Sequence, residues 1–143
     1  MFWKRLTRPT GAPLRRFEYS WLGPIEFDEQ EEAWVAHPTA GGQTLRFVIG
    51  GDKEPHQRLV AQAESIVSEF DDFHARIRGF LRREAASRPM LAQEIEQLEI
   101  SHICLFGPER PNAGMIFFSS SDRFRVWHCD YVNRVPESLG FDS

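Results

Sequence analysis

The chain has 143 residues, 41% of them hydrophobic and 27% charged, with a formal net charge of −4 and two cysteines, Cys104 and Cys129. This size suits one domain that buries roughly two-thirds of its unfolded surface, so neither a disulfide framework nor a structural metal is needed to hold it. No run of about 18 apolar residues occurs, which excludes a helical membrane span, and Lys4, Arg5, Thr7, Arg8 and Pro9 interrupt the apolar stretch a signal peptide needs. The expectation is a soluble cytoplasmic protein with both thiols reduced.

Charge is unevenly spread. Residues 1–16 carry Lys4, Arg5, Arg8, Arg15 and Arg16 and no acid, so they read as a basic N-terminal arm. Phe2, Trp3 and Leu6 add apolar groups to it, but Pro9, Gly11 and Pro13 stop any helix early, as in a frayed terminus. Residues 17–143 read as a single domain that keeps twelve of the 17 basic residues against all 21 acidic ones, a balance of −9. Such a body repels phosphate backbones, which argues against nucleic acid and for a protein partner with a basic surface.

The first third predicts strands over 17–21, 25–28, 33–37 and 44–49, with Gly23-Pro24 as a turn and 38–43, which contains Gly41-Gly42, as the connector of a hairpin. Asp28, Glu29, Glu31 and Glu32 cluster just before Trp34. A charged rim beside an aromatic anchor is how many interfaces combine steered association with a small buried hot spot, so Glu29, Glu31, Glu32 and Trp34 are candidate binding residues. The alternative is a solvated acidic turn followed by a core tryptophan.

Leu59, Ala63, Ile66, Phe70, Phe73, Ile77 and Phe80 recur alternately four and three residues apart, with Val60, Val67 and Leu81 on one flank. This period predicts one long helix over 52–86, N-capped by Asp52, with His74 packing its ring at the border of the stripe. At 1.5 Å per residue it would reach about 50 Å, longer than the roughly 37 Å diameter of a domain this size. The helix must overhang, bend, with Gly79 as the weakest interior site, or pack on a second copy in a homodimer. Arg88-Pro89 ends it, and Leu91, Ile95 and Leu98 mark a short second helix.

Strands return over 100–106, 114–119 and 124–131. The order strands, helices, strands predicts an α+β domain: an antiparallel sheet with one long helix and one short helix packed on one face. In the last strand, alternation puts His128 and Asp130 on one face, where a carboxylate orienting an imidazole would make a general-base pair for a small hydrolase-like enzyme. No nucleophile is fixed beside them, and a half-buried histidine with a strand-end charge is the plainer account. His102 and Cys104 share a strand face and have zinc-ligand chemistry, but His128 and Cys129 point to opposite faces and no pair has the close spacing of a structural site, so neither metal nor cofactor is expected.

The tail Val126-Trp127-His128-Cys129-Asp130-Tyr131, then Arg134, Pro136 and Leu139-Gly140-Phe141-Asp142-Ser143, resembles the ends of small uncharacterised bacterial proteins grouped as domains of unknown function, some found among toxin-immunity genes. The resemblance implies a small α+β protein that acts by binding another protein, and it supplies no active-site residues. The expectation is thus a non-enzymatic protein-binding module, immunity- or regulator-like, with the His128/Asp130 enzyme as the alternative.

Overall fold

The protein is described by a computed structural model covering residues 15–122 and 124–142. Of the basic arm, residues 1–14 lie outside the described residues. Arg15 and Arg16 are described: the Arg15 guanidinium sits 4.3 Å from the centre of the Phe27 ring, and Arg16 pairs with Glu18 and Glu26.

In chain order the elements are β1 (Arg16–Tyr19), β2 (Gly23–Asp28), β3 (Ala33–Ala36), β4 (Thr39–Ala40), β5 (Gln43–Thr44), β6 (Arg46–Ile49), α1 (Gln57–Ser68), α2 (Phe70–Ser87), a 3-10 turn (Pro89–Leu91), α3 (Ala92–Glu96), β7 (Glu99–Leu105), β8 (Ala113–Ser119), β9 (Val126–Val132) and β10 (Val135–Asp142). The fold is α+β. Eight strands form one sheet in the order β1-β2-β3-β6-β7-β8-β9-β10, while β4 and β5 form a separate two-stranded ribbon. Every neighbouring pair in the large sheet is antiparallel except β6 and β7, which run parallel. The all-antiparallel expectation is corrected at that pair. The chain leaves β6, travels through all three helices and re-enters beside it in the same direction, a return that a crossover of this length permits and a tight hairpin does not.

The helices cover one face of the sheet. Leu59, Val60, Ala63, Ile66 and Val67 of α1 and Phe70, Phe73, Ile77, Phe80, Leu81 and Ala85 of α2 are buried in the same core as Ile25, Trp34, Phe47, Ile103, Ile116, Trp127 and Tyr131. The apolar stripe therefore faces the sheet along its whole length, as the spacing predicts. It does not run on one straight helix. Glu69 leaves the helical region at φ −120° and ψ 36°, which divides the stripe between α1 and α2. At the break Ser68 Oγ donates to Ser65 O at 3.1 Å, and Arg134 reaches in to pair with Glu69 at 2.5 Å. Back-bonding of a serine to its own helix and a tertiary ion pair both favour a bend there. Gly79, the expected site, stays inside α2, because a penalty of about 1 kcal/mol is small beside the packing of the flanking residues.

The helix also starts later than expected, at Gln57 rather than Asp52. Gly51, at φ 147°, folds the chain back so tightly that a Cβ there would lie 2.1 Å from Glu54 O, and His56 N donates to Gly50 O at 2.9 Å. Residues 52–54 are spent on this reversal. At the far end α2 stops at Ser87, before Arg88-Pro89, as predicted, but the short helix is only Ala92–Glu96: Ile95 is its fully buried residue, Leu91 is half-buried in the preceding 3-10 turn, and fully buried Leu98 lies just beyond it. His74 is half-buried, with its ring 5.5 Å from that of Phe70.

Strand β10 is an element the sequence pattern did not predict. It pairs antiparallel with β9 but is interrupted by a bulge between Glu137 and Gly140, with Ser138 at φ 59°. Pro136 and the bulge hide the alternation that would announce a strand, and both are tolerated because β10 is an edge. No helix among the described residues is long and apolar enough to cross a membrane.

Phe70 is 5% exposed and lies at the break, where its ring also fills the space left by the missing Cβ of Gly41, 2.8 Å away. Phe70→Ala is expected to cost about 3–5 kcal/mol by denaturant unfolding, enough to unfold a marginal domain, and an unchanged midpoint would contradict this core assignment.

Candidate functional site

Among the described residues the helices cover only one face of the eight-stranded sheet; on the other, left open by the helices, Val35 and Val48 are buried and Met115 and Phe117 half-buried. Strand pairing lays its side chains out in rows. One row crosses the whole sheet: Arg16 opposite Glu26, Glu26 opposite Val35, Val35 opposite Val48, Val48 beside Cys104, Cys104 opposite Met115, Met115 opposite Asp130, and Asp130 opposite Glu137. The next row runs from Arg46 through His102, Phe117 and His128 to Gly140. The centre of this face is apolar and aromatic. Its border is mainly acidic.

The second row is a stack of rings. His102 lies flat on Phe117, with centroids 4.6 Å apart and planes 5° from parallel, and His128 leans on the other side of Phe117 at 5.8 Å. A polar contact closes each end. Arg46 bonds Glu31 at 2.6 Å beside His102, and His128 Nε2 lies 3.3 Å from Asp142 Oδ2. Burial, and secondarily the Arg46 guanidinium, push the His102 pKa below its ordinary 6.5, against a weaker opposite pull from Glu31. Along the first row a concavity of about 480 Å³ opens between Cys104, Phe106, Met115, Asp130 and Glu137. Phe106 is 56% exposed there, and Val126 and Val135, on the outer strands, are 48% and 54% exposed. An exposed apolar patch with a polar rim is the usual mark of an interaction surface.

The expected site residues separate. Glu31 reaches the open face through Arg46, whereas Glu29 and Glu32 are exposed on the β2–β3 turn, which Asp28 Oδ1 organises by accepting from the amides of Gln30 and Glu31. Trp34 belongs elsewhere. It is fully buried on the helix-covered face, flanked edge-on by Phe17 at 5.4 Å and Phe27 at 5.3 Å, and its indole N–H donates to Gly51 O. The anchor role expected for Trp34 is therefore corrected: the residue is core, because β3 alternation points it inward and Val35 outward.

His128 and Asp130 do share the open face, but the carboxylate beside the imidazole is Asp142, not Asp130, whose cross-strand neighbours are Met115 and Glu137. Cys104 lies on the same face. Burial and the nearby Glu31 carboxylate, offset in part by Arg46, push its thiol up to about 11, so it is protonated at neutral pH and poorly suited as a nucleophile. Cys129 is on the opposite face, buried, its thiol pushed up to about 12 by burial and by Asp130 and Glu84. Among the described residues no three His, Cys, Asp or Glu side chains group closely enough to hold a metal ion. The apolar part of the face, Phe106, Met115 and Phe117, went unnoticed in the sequence. Its signal was present in the alternation that pairs His102 with Cys104.

Two measurements check these environments. At about pH 8, alkylation of Cys104 should run on the order of a hundredfold slower than that of a free cysteine, because the thiolate is so scarce. His102 carries a linkage: below 6.5 the unfolded chain takes up its proton before the folded one does, so stability falls as pH falls through that range. Moving from about pH 7 to about pH 5 should therefore lower the unfolding midpoint more in the native chain than in His102→Gln, and equal losses would show that His102 is not held neutral.

No protein-family model, no curated protein and no solved structure matches this chain.

Proposed function

We propose that the chain is a non-enzymatic protein-binding module, immunity- or regulator-like and cytoplasmic, which takes a basic surface of its partner on the open face of the sheet. The observation that carries this reading is the pairing of exposed Phe106 and Val135 and half-buried Met115 and Phe117 with an acidic border of Glu31, Asp130, Glu137 and Asp142. Two cations on this face are matched by carboxylates, Arg16 by Glu18 and Glu26 and Arg46 by Glu31, while Arg110 joins Glu109, Asp130 and Glu137 around the concavity, so carboxylates outnumber guanidinium groups there. Apolar contact supplies the affinity and the border steers a cationic partner into register. The enzyme alternative on His128 and Asp130 has less behind it, because the imidazole lies against Asp142 and the Cys104 thiol is held protonated.

The test uses a synthetic peptide that alternates lysine and phenylalanine, with a glutamate-for-lysine version as control, followed by amide NMR. The lysine peptide should shift the amides of 102–106, 115–117, 128–130 and 135–137 saturably, and the control should not. Asp130→Lys with Glu137→Lys should weaken binding by about tenfold or more and flatten its salt dependence, while Glu29→Lys with Glu32→Lys should mainly slow association. Shifts that fall on the helices instead, or that are equal for both peptides, would remove the open face as the docking surface.

A further inference from the structure

A second concavity, of about 550 Å³, lies where α1 passes the turn between β9 and β10. Arg58, Gln62 and Ser65 are four and three residues apart on α1, so they form a polar stripe on one side of that helix. Facing them, Asn133 and Arg134 make a two-residue hairpin turn, with φ of 52° and 64°. Both are in the left-handed region that such turns demand, and an asparagine accepts it more readily than an arginine does. Interactions with the helices hold the arginine there: Arg134 donates to Ser65 Oγ and pairs with Glu69 at 2.5 Å.

The walls are braced from within. The Tyr131 hydroxyl, fully buried, donates to Gln62 Oε1, and Gln62 Nε2 donates to the carbonyls of Pro111 and Ala113. The Asn133 amide donates to Asn112 O at 2.8 Å, which fastens the turn to the loop before β8. A concavity framed this way needs little reorganisation to accept a ligand.

Its lining is basic where the body is acidic. The body carries −9, yet this concavity is lined by two guanidinium groups, Arg58 and Arg134, and, among the described residues, by no carboxylate. Glu69, at 2.5 Å, and Asp72, at 3.8 Å, flank Arg134 from behind and are not part of the lining, so the guanidinium with no ion-pair partner among the described residues is that of exposed Arg58. Guanidinium forks match the oxygens of carboxylates and phosphates, and the volume suits a small organic molecule better than a bare ion. We propose that this concavity binds a small organic anion through Arg58 and Arg134, with the side-chain amides of Asn112 and Asn133 contacting its neutral part. The site is independent of the open sheet face, so either proposal can fail alone.

The experiment is an amide NMR titration of the whole chain with inorganic phosphate, glycerol 3-phosphate and succinate. At least one organic anion should shift the amides of residues 58–65, 112 and 133–134 saturably and bind more tightly than inorganic phosphate, and which of the two binds better assigns a phosphate ester or a carboxylate. Arg58→Gln, at an exposed position that leaves the fold intact, should weaken that binding by about tenfold or more, whereas Arg82→Gln, at an exposed position of α2 with no contact to the site, should leave it unchanged. Shifts that persist in Arg58→Gln, that scatter over all basic residues, or that are no stronger for the organic anions than for inorganic phosphate would overturn the proposal.

Discussion

The parallel contact between β6 and β7 governs the rest of the molecule. It joins two four-stranded halves, β1-β2-β3-β6 and β7-β8-β9-β10, by the pairs Arg46 with His102, Phe47 with Ile103, Val48 with Cys104 and Ile49 with Leu105. To enter β7 parallel to β6, the chain must return to the end of the sheet from which β6 started, and here it spends all three helices on that single crossing. Every helix consequently lies on one side, and among the described residues no helix packs on the opposite face. The candidate protein interface thus follows from topology, while the residues that populate it follow from strand alternation.

Fixing a helix layer on such a broad sheet requires more than apolar contact, which has no preferred direction. Directional bonds sit around its margin. Glu64 of α1 accepts from the backbone amides of Trp21 and Leu22 in the β1–β2 turn, and Glu94 of α3 accepts from the indole N–H of Trp127 and the hydroxyl of Ser120. Arg78 of α2 donates to the carbonyls of Glu96 and Leu98 at the end of α3, and Arg88 donates to Leu139 O on β10. These charged groups are partly screened from water and answer backbone groups that would otherwise lose their partners, so each resists sliding of the layer more than an exposed ion pair would.

Local periodicity made much of this architecture legible. The stripe from Leu59 to Phe80 identifies the faces that α1 and α2 bury, and Phe47 and Ile49 identify the inner face of β6. What stayed hidden depends on contacts between distant residues. The break at Glu69 is held by Arg134, 65 positions away in the chain, and no helix propensity at Glu69 foretells it. The inward turn of Trp34 depends on which of two alternating faces the helices cover, and the acidic cluster beside it gave the opposite impression. Likewise Asp142 became the neighbour of His128 only through β10, whose proline and bulge disguise it as a tail.

The bulge in β10 matters beyond local geometry. Both margins of a large sheet expose rows of unpaired backbone groups, and a regular eight-residue margin would invite another chain to add a strand there. Between Glu137 and Gly140 the register slips, Ser138 adopts a left-handed conformation, and Pro136 brings no N–H at all. A visiting strand would find its ladder broken after two or three residues. At the other margin β1 spans only four residues. The sheet is therefore blunted against growth edge to edge, so a large open face can coexist with resistance to aggregation, and side chains rather than backbone ladders are left to choose the partner.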